Sequence, residues 1–197
     1  MPPVFTEIDS LRDKMVPQSG DYARKRELPA SYVIRQSRAS LYQLKHMQGG
    51  AMARKSWNQY FMEMAQTVSE RGTCDRAYVG CVLVNEEHRI VSTGYNGSVA
   101  GNPHCDEIGH TMRDGHCIAT IHAEMNALLY CAKSGISVNG CSCYVTHFPC
   151  LNCTKSLIQA GIKRIYYREG YRMDDYAIEL LERNHIPYEQ LNGEEED

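Results

Sequence analysis

Two short clusters of metal-binding side chains, each at the head of an apolar-periodic stretch, constrain this chain more than any other feature. His122-Ala123-Glu124 opens a stretch that runs to Lys133 and closes at Gly135. Pro149-Cys150-Leu151-Asn152-Cys153 opens another that runs to Ala160 before Gly161. Both periodicities predict helices, and Cys143 to Thr146 between them reads as a strand. Two thiolates on one helical turn can grip a single Zn²⁺, and a histidine from a neighbouring helix supplies a third ligand. Three protein donors leave one tetrahedral position for water, which is the catalytic arrangement rather than the closed structural one. Helix starts also carry unpaired amides and the positive end of the dipole, which favour thiolate. The bland alternative puts Cys150 and Cys153 in a closed structural site and makes His122 a core histidine. It suits a lone C-x-x-C. The added His-Ala-Glu, and the proline before the first cysteine, weigh against it.

Glu124 lies two residues from His122, a spacing that points two side chains apart on a helix. That suits separate tasks, with His122 on the metal and Glu124 moving protons. Direct ligation would cost the carboxylate much of its basicity, so Glu124 is assigned as acid/base and not as ligand. Bound Zn²⁺ lowers the pKa of water from about 15.7 to about 7, so a nucleophile becomes available at neutral pH.

Composition narrows the setting. The chain has 197 residues, 43% of them apolar and 23% charged, enough for a real core and unlike a disordered chain. No run approaches the roughly 18 apolar residues of a membrane span. Met1 to Glu7 lacks the basic and apolar stretches of a signal peptide, so a cytoplasmic protein with no membrane partner is expected. Residues 1–51 carry eight Lys+Arg against five Asp+Glu, whereas residues 52–197 carry 13 against 19. An acidic main body argues against a stable nucleic-acid partner, because phosphate binding is mostly neutralisation by Lys and Arg. All nine cysteines lie from Cys74 onward. An odd number without an export signal points to metal binding or catalysis before disulfides. Cys81, Cys131, Cys141 and Cys143 fall in strand or helix patterns, where buried thiols are the default.

Residues 1–51 hold four of the seven prolines and one helix-like piece, Ser31 to Met47. They are expected to be a poorly ordered extension, with an oligomer-contact arm or a basic regulatory arm as alternatives. Met52 itself offers a start. Ser56-Trp57-Asn58-Gln59 is a capping-box pattern, followed by Trp57, Tyr60, Phe61, Met64, Ala65 and Val68 at helical spacing and a stop at Gly72. Val79 to Val84 and Ile90 to Gly94 read as a hairpin. Lys163 to Tyr167 is a further strand, Asp174 to Arg183 a helix, and Pro187 onward a last short strand. This order predicts an α/β fold, a sandwich of about five strands. The tail from Glu194 to Asp197 is acidic and is expected to be solvated.

The pattern H-x-E…P-C-x-x-C is the signature of zinc nucleobase deaminases. The resemblance is closer than that. Residues 54–190 resemble the deoxycytidylate (dCMP) deaminases of the cytidine deaminase superfamily, in the variant found in late-competence operons. The segments that carry it are Cys74-Asp75-Arg76-Ala77-Tyr78-Val79-Gly80, Gly94-Tyr95-Asn96-Gly97-Ser98-Val99-Ala100-Gly101, Ile121 to Ala127, and Tyr144 to Cys150. The G-Y-N-G-S loop is the specific one, since tRNA adenosine deaminases share the metal motifs but not this loop. The resemblance implies a three-layer α-β-α sandwich over a mixed sheet, with a deaminase domain at 52–192 and a tail at 193–197. It also implies hydrolysis of dCMP to dUMP and ammonia. Enzymes of this kind are homohexamers, activated by dCTP with Mg²⁺ and inhibited by dTTP, with regulation near Gly94, Tyr95, Asn96, Gly97 and Gly101. The alternatives are another nucleoside, base or tRNA deaminase, or a zinc-stabilised scaffold of the competence machinery.

An asparagine amide offers donor and acceptor to a sugar or a pyrimidine edge, and flanking glycines let backbone amides approach an anion. Read alone, Tyr95-Asn96-Gly97 is a turn after a strand. The resemblance puts Asn96 on the sugar or base, and Ser98, Arg76 and Tyr171 are the candidates around the 5′-phosphate. Arg76 reads equally as a surface charge. Phe148 or His147 is placed to wall the base ring, with core packing the rival for Phe148. Cys105, His110 and Cys117 crowd a polar loop that a closed zinc site would fix. Cys74 joins them through its resemblance to a family ligand position, with His104 and His116 as substitutes. Free thiols on a mobile loop, or a disulfide, are the alternatives.

Overall fold

The computed structural model describes residues 54–170 and 172–191. The extension at 1–51 with its helix-like Ser31 to Met47, the candidate residue Tyr171 and the acidic tail lie outside the described residues.

Helix α1 (Trp57–Ser69) begins where the capping pattern places it, with Ser56 Oγ accepting from Gln59 N at 3.2 Å. Its inner face is Phe61, Met62, Ala65 and Ser69. Trp57 and Tyr60 share the apolar period yet stay half-exposed, Trp57 stacking on His88 at 4.5 Å. Strands β1 (Gly80–Val84) and β2 (Ile90–Tyr95) follow as an antiparallel pair. Between them and the next long helix lie four two-residue strands, β3 (Gly97–Ser98), β4 (Met112–Arg113), β5 (His116–Cys117) and β6 (Thr120–Ile121), and the short helix α2 (Cys105–Ile108). Helix α3 (Ala123–Ser134), β7 (Ser142–His147), α4 (Leu151–Gln159), β8 (Arg164–Glu169), α5 (Asp175–Arg183) and β9 (Tyr188–Gln190) complete the domain.

The main sheet has five strands in the order β2-β1-β7-β8-β9. β1 is antiparallel to β2 and β7, and β7, β8 and β9 are parallel, so the sheet is mixed. β1 is buried along its whole length because both faces are covered. Val82 and Val84 point to α1 with Phe61, Met62, Ala65, Tyr144 and Tyr166. Cys81 and Leu83 point the other way, into a core shared with Ala123, Ala127, Leu157, Ile165, Ala177 and Leu181 of α3, α4, α5 and β8. This is the expected three-layer α-β-α sandwich. The parallel crossovers through α4 and α5 bring helix starts to the carboxyl ends of β7 and β8, where open α/β sheets place their ligands. Among the described residues no helix is long and apolar enough to cross a membrane.

Candidate active site and second metal cluster

His122 and Cys150 are each the residue immediately before a helix, α3 and α4, in extended conformation. Cys153 follows on the first turn of α4. His122 Nδ1 lies 3.5 Å from the sulfurs of both Cys150 and Cys153, and the donor atoms of the three lie within 4.8 Å of one another. Tetrahedral zinc with its usual Zn–S and Zn–N lengths requires an N···S separation of about 3.6 Å, so the donor set fits that ion. Burial is graded, with His122 exposed, Cys150 half-buried and Cys153 buried, so the group opens on one side. The two thiols are shifted in opposite directions. The hydrogen bond from Cys153, together with His122, holds the Cys150 thiol down to about 4, although burial opposes it. Cys153 is pushed far up by that same bond, then by burial and by Glu124. The bond to Cys150 also raises the His122 imidazole. Such a pair has one thiolate ready for a metal and loses its second proton on binding.

Glu124 sits in the first turn of α3 and is 3% exposed. Burial raises its carboxyl above the ordinary range, against its own backbone amide and the His122 charge, which pull down. It is a buried carboxyl beside Cys153, held toward its protonated form.

Cys74, Cys105, His110 and Cys117 form a second group whose donor atoms also lie within 4.8 Å of one another. Cys74 Sγ is 3.7 Å from His110 Nδ1, and the sulfurs of Cys105 and Cys117 are 3.6 Å apart. Two sulfurs on tetrahedral zinc stand about 3.8 Å apart, so this four-donor set also fits, in the closed form. Burial pushes the Cys105 thiol up to about 12, with help from Cys117. Burial also works upward on Cys117, but hydrogen bonds from the Ala119 backbone and His110 outweigh it and bring that thiol to about 7. The substitutes His104 and His116 are exposed and stand outside this group.

The other candidates are placed less simply. Asn96 is buried, and its amide bridges the preceding loop: Nδ2 donates to Ala77 O at 2.7 Å and Oδ1 accepts from Val79 N at 2.8 Å. Among the described residues the second Nδ2 hydrogen meets no acceptor. Ser98 Oγ is buried without a hydrogen-bond partner, alone in this among the described side chains. Arg76 Nη2 reaches Gly115 O at 3.2 Å. Phe148 is buried edge-on to Tyr167 at 5.0 Å and to Tyr188 at 6.0 Å, which is the core arrangement. His147 is partly exposed between Thr146 Oγ1 at 3.0 Å and Glu169 at 3.3 Å. Gly94 packs against the start of α3 so closely that a Cβ would stand 2.2 Å from Ala123 O. Tyr95 ends β2 and Gly97 opens β3, and Gly101 has φ +81, a conformation that favours glycine. Sequence reasoning missed Asn126, whose Nδ2 donates to Tyr95 O at 2.9 Å and ties this loop to the helix bearing Glu124. The only local signal was its place one turn after His122.

Comparison with known proteins falls on the same segments. Residues 55–169 match the family model of the cytidine and deoxycytidylate deaminase zinc-binding region. ComE operon protein 2 of Bacillus subtilis (strain 168) is 49% identical over 144 residues, 73% of this chain and 76% of that protein. The deoxycytidylate deaminase of Saccharomyces cerevisiae is 34% identical over 160 residues, 77% of this chain but half of that protein's length. The dCMP deaminase of cyanophage S-TIM5, solved with dCMP and dUMP, superposes with a TM-score of 0.61 at 32% identity, over 71% of this chain and 99% of that one.

Proposed function

This chain belongs to the cytidine and deoxycytidylate deaminase zinc-binding family, and from that premise we propose that it hydrolyses dCMP to dUMP and ammonia. The observation that carries the reading is the convergence of His122, Cys150 and Cys153 from two helix starts beside the buried Glu124. These three would hold a zinc ion, which when bound would lower the pKa of a water to about 7 and so make a nucleophile available near C4 of the base. Cys150 and Cys153 would neutralise that cation as thiolates, and His122 would complete the donor set with the Nδ1 that faces both sulfurs. Glu124 takes the proton of the attacking water, passes it to N3 of the ring, and then moves a proton to the departing amine. Its raised proton affinity suits a group that must be base and acid in one cycle. Burial keeps bulk water from that exchange.

Asn96 and Ser98 belong to the nucleotide cradle in this reading, Asn96 with its remaining amide hydrogen and Ser98 with its unpartnered hydroxyl. Cys74, Cys105, His110 and Cys117 hold a second, structural zinc. The chain acts as a homohexamer in the cytoplasm, with residues 1–51 as an appendage to the domain at 52–192. It is activated by dCTP with Mg²⁺ and inhibited by dTTP through the loop from Gly94 to Gly101. Support for regulation at that loop is mechanical, because Gly94 abuts Ala123 and Asn126 grips Tyr95, so a displaced loop displaces the helix start that carries Glu124. The decisive experiment compares turnover of dCMP and deoxycytidine by zinc-loaded protein, each with and without dCTP or dTTP. Strong preference for dCMP is expected. Equal rates on the two substrates defeat the nucleotide assignment, and a flat response to both triphosphates defeats the regulatory one.

A further inference from the structure

His110 presents its two ring nitrogens to different partners. Nδ1 faces Cys74 Sγ at 3.7 Å, while Nε2 lies 2.9 Å from Asp75 Oδ1. A carboxylate beside Nε2 accepts from it, so Nε2 is placed as the donor to Asp75 and Nδ1 is the ring nitrogen turned toward the thiols. Asp75 directly follows one candidate ligand and holds another that lies 35 positions further on. The next residue, Arg76, donates to Gly115 O at 3.2 Å, in the turn between β4 and β5. Three consecutive side chains therefore reach into the 105–117 excursion, one to the thiol group, one to the imidazole and one to the hairpin.

We propose that Asp75 is the positioning residue of the second metal site, fixing the tautomer and ring orientation in which His110 offers Nδ1 as a ligand. The inference rests on reading Cys74, Cys105, His110 and Cys117 as a zinc site. A carboxylate behind a metal-bound imidazole raises its basicity and removes the freedom to present the wrong nitrogen, and losing such a partner typically lowers metal affinity about 10- to 100-fold. The rival description is an ordinary surface ion pair, since the Asp75 side chain is 62% exposed and that of His110 24%. A surface pair of that kind leaves metal binding unmoved.

The test is a zinc competition titration of the full chain against a chromophoric chelator, paired with ring-nitrogen NMR of His110. Wild-type protein takes up two equivalents and shows His110 protonated at Nε2. Asp75→Ala keeps one equivalent at wild-type affinity, weakens the other about 10- to 100-fold and loses the fixed Nε2 proton. Asp75→Glu, which retains the carboxylate, recovers most of the affinity. Asp75→Asn keeps the shape and an acceptor without the charge, so it falls between them and covers the case of an alanine variant that folds poorly. Two equivalents at wild-type affinity in Asp75→Ala and Asp75→Asn overturn the inference and leave the two-site reading standing. A wild-type chain that takes up a single equivalent overturns the two-site reading and this inference with it.

Discussion

Replacing Glu124 by glutamine isolates the proton shuttle from everything else the site does. Glutamine matches the volume of a side chain that is 3% exposed, so the packing of α3 against β1 and β2 is retained. It cannot accept and return a proton. Loss of a positioned acid/base group costs about 10²- to 10⁴-fold in rate, or roughly 3–5 kcal/mol at 1.36 kcal/mol per decade. Glu124→Gln is therefore expected to reduce kcat for dUMP formation by at least about 100-fold while zinc content stays at the wild-type value. The pH dependence provides the second reading. Burial raises the carboxyl of Glu124, so in the free enzyme its base form is lost as pH falls through a value above the ordinary glutamate range of about 4.3. The acid limb of kcat/KM should sit above that range in wild type and flatten in the variant. Stability of the metal-free protein moves in the opposite sense. The folded state holds the proton more tightly than the unfolded one, so wild type loses stability as pH rises through the folded value, and Glu124→Gln does not. Turnover within about threefold of wild type, at full zinc occupancy, would refute the shuttle.

Other outcomes follow from single contacts. Ser98→Ala removes a hydroxyl that has no partner among the described residues, so thermal stability should be unchanged or slightly higher. If that hydroxyl meets the phosphate, KM for dCMP rises about tenfold or more, the value of one hydrogen bond to a charged group. An unchanged KM removes Ser98 from the cradle. Gly94→Ala places a Cβ 2.2 Å from Ala123 O and 2.5 Å from Ala127 N, both backbone atoms that yield only if α3 shifts. A loss of about 3 kcal/mol is expected, or about 10 °C in Tm; a Tm within a degree or two of wild type contradicts the tight approach. Chelator treatment should abolish dCMP turnover, and Zn²⁺ should restore it; full activity after complete metal removal sinks the zinc reading.

What could be read from the chain and what could not divides along a physical line. The starts of α3 and α4 were legible because metal-ligand spacing and apolar periodicity coincide there, and each restricts the other. Trp57 and Tyr60 have the right period yet face outward, because periodicity defines a stripe without saying how wide a face the sheet will cover. Cys74 was visible only through resemblance, since its partner His110 lies 36 residues away and nothing local announces it. Arg76, Asn96 and Phe148 show the deeper obstacle. Each was singled out for a side chain able to bind a nucleotide, and each meets partners in the chain itself: Gly115 O, the Ala77 and Val79 backbone, and the rings of Tyr167 and Tyr188. A metal requires a few donor types at fixed separations, so its residues leave a pattern. A backbone carbonyl is offered by every residue, so a side chain that satisfies one leaves no trace of which it chose. Ser98 is informative for that reason: its buried hydroxyl is taken up by no group among the described residues, so it stays open to a partner that the sequence pattern does not name.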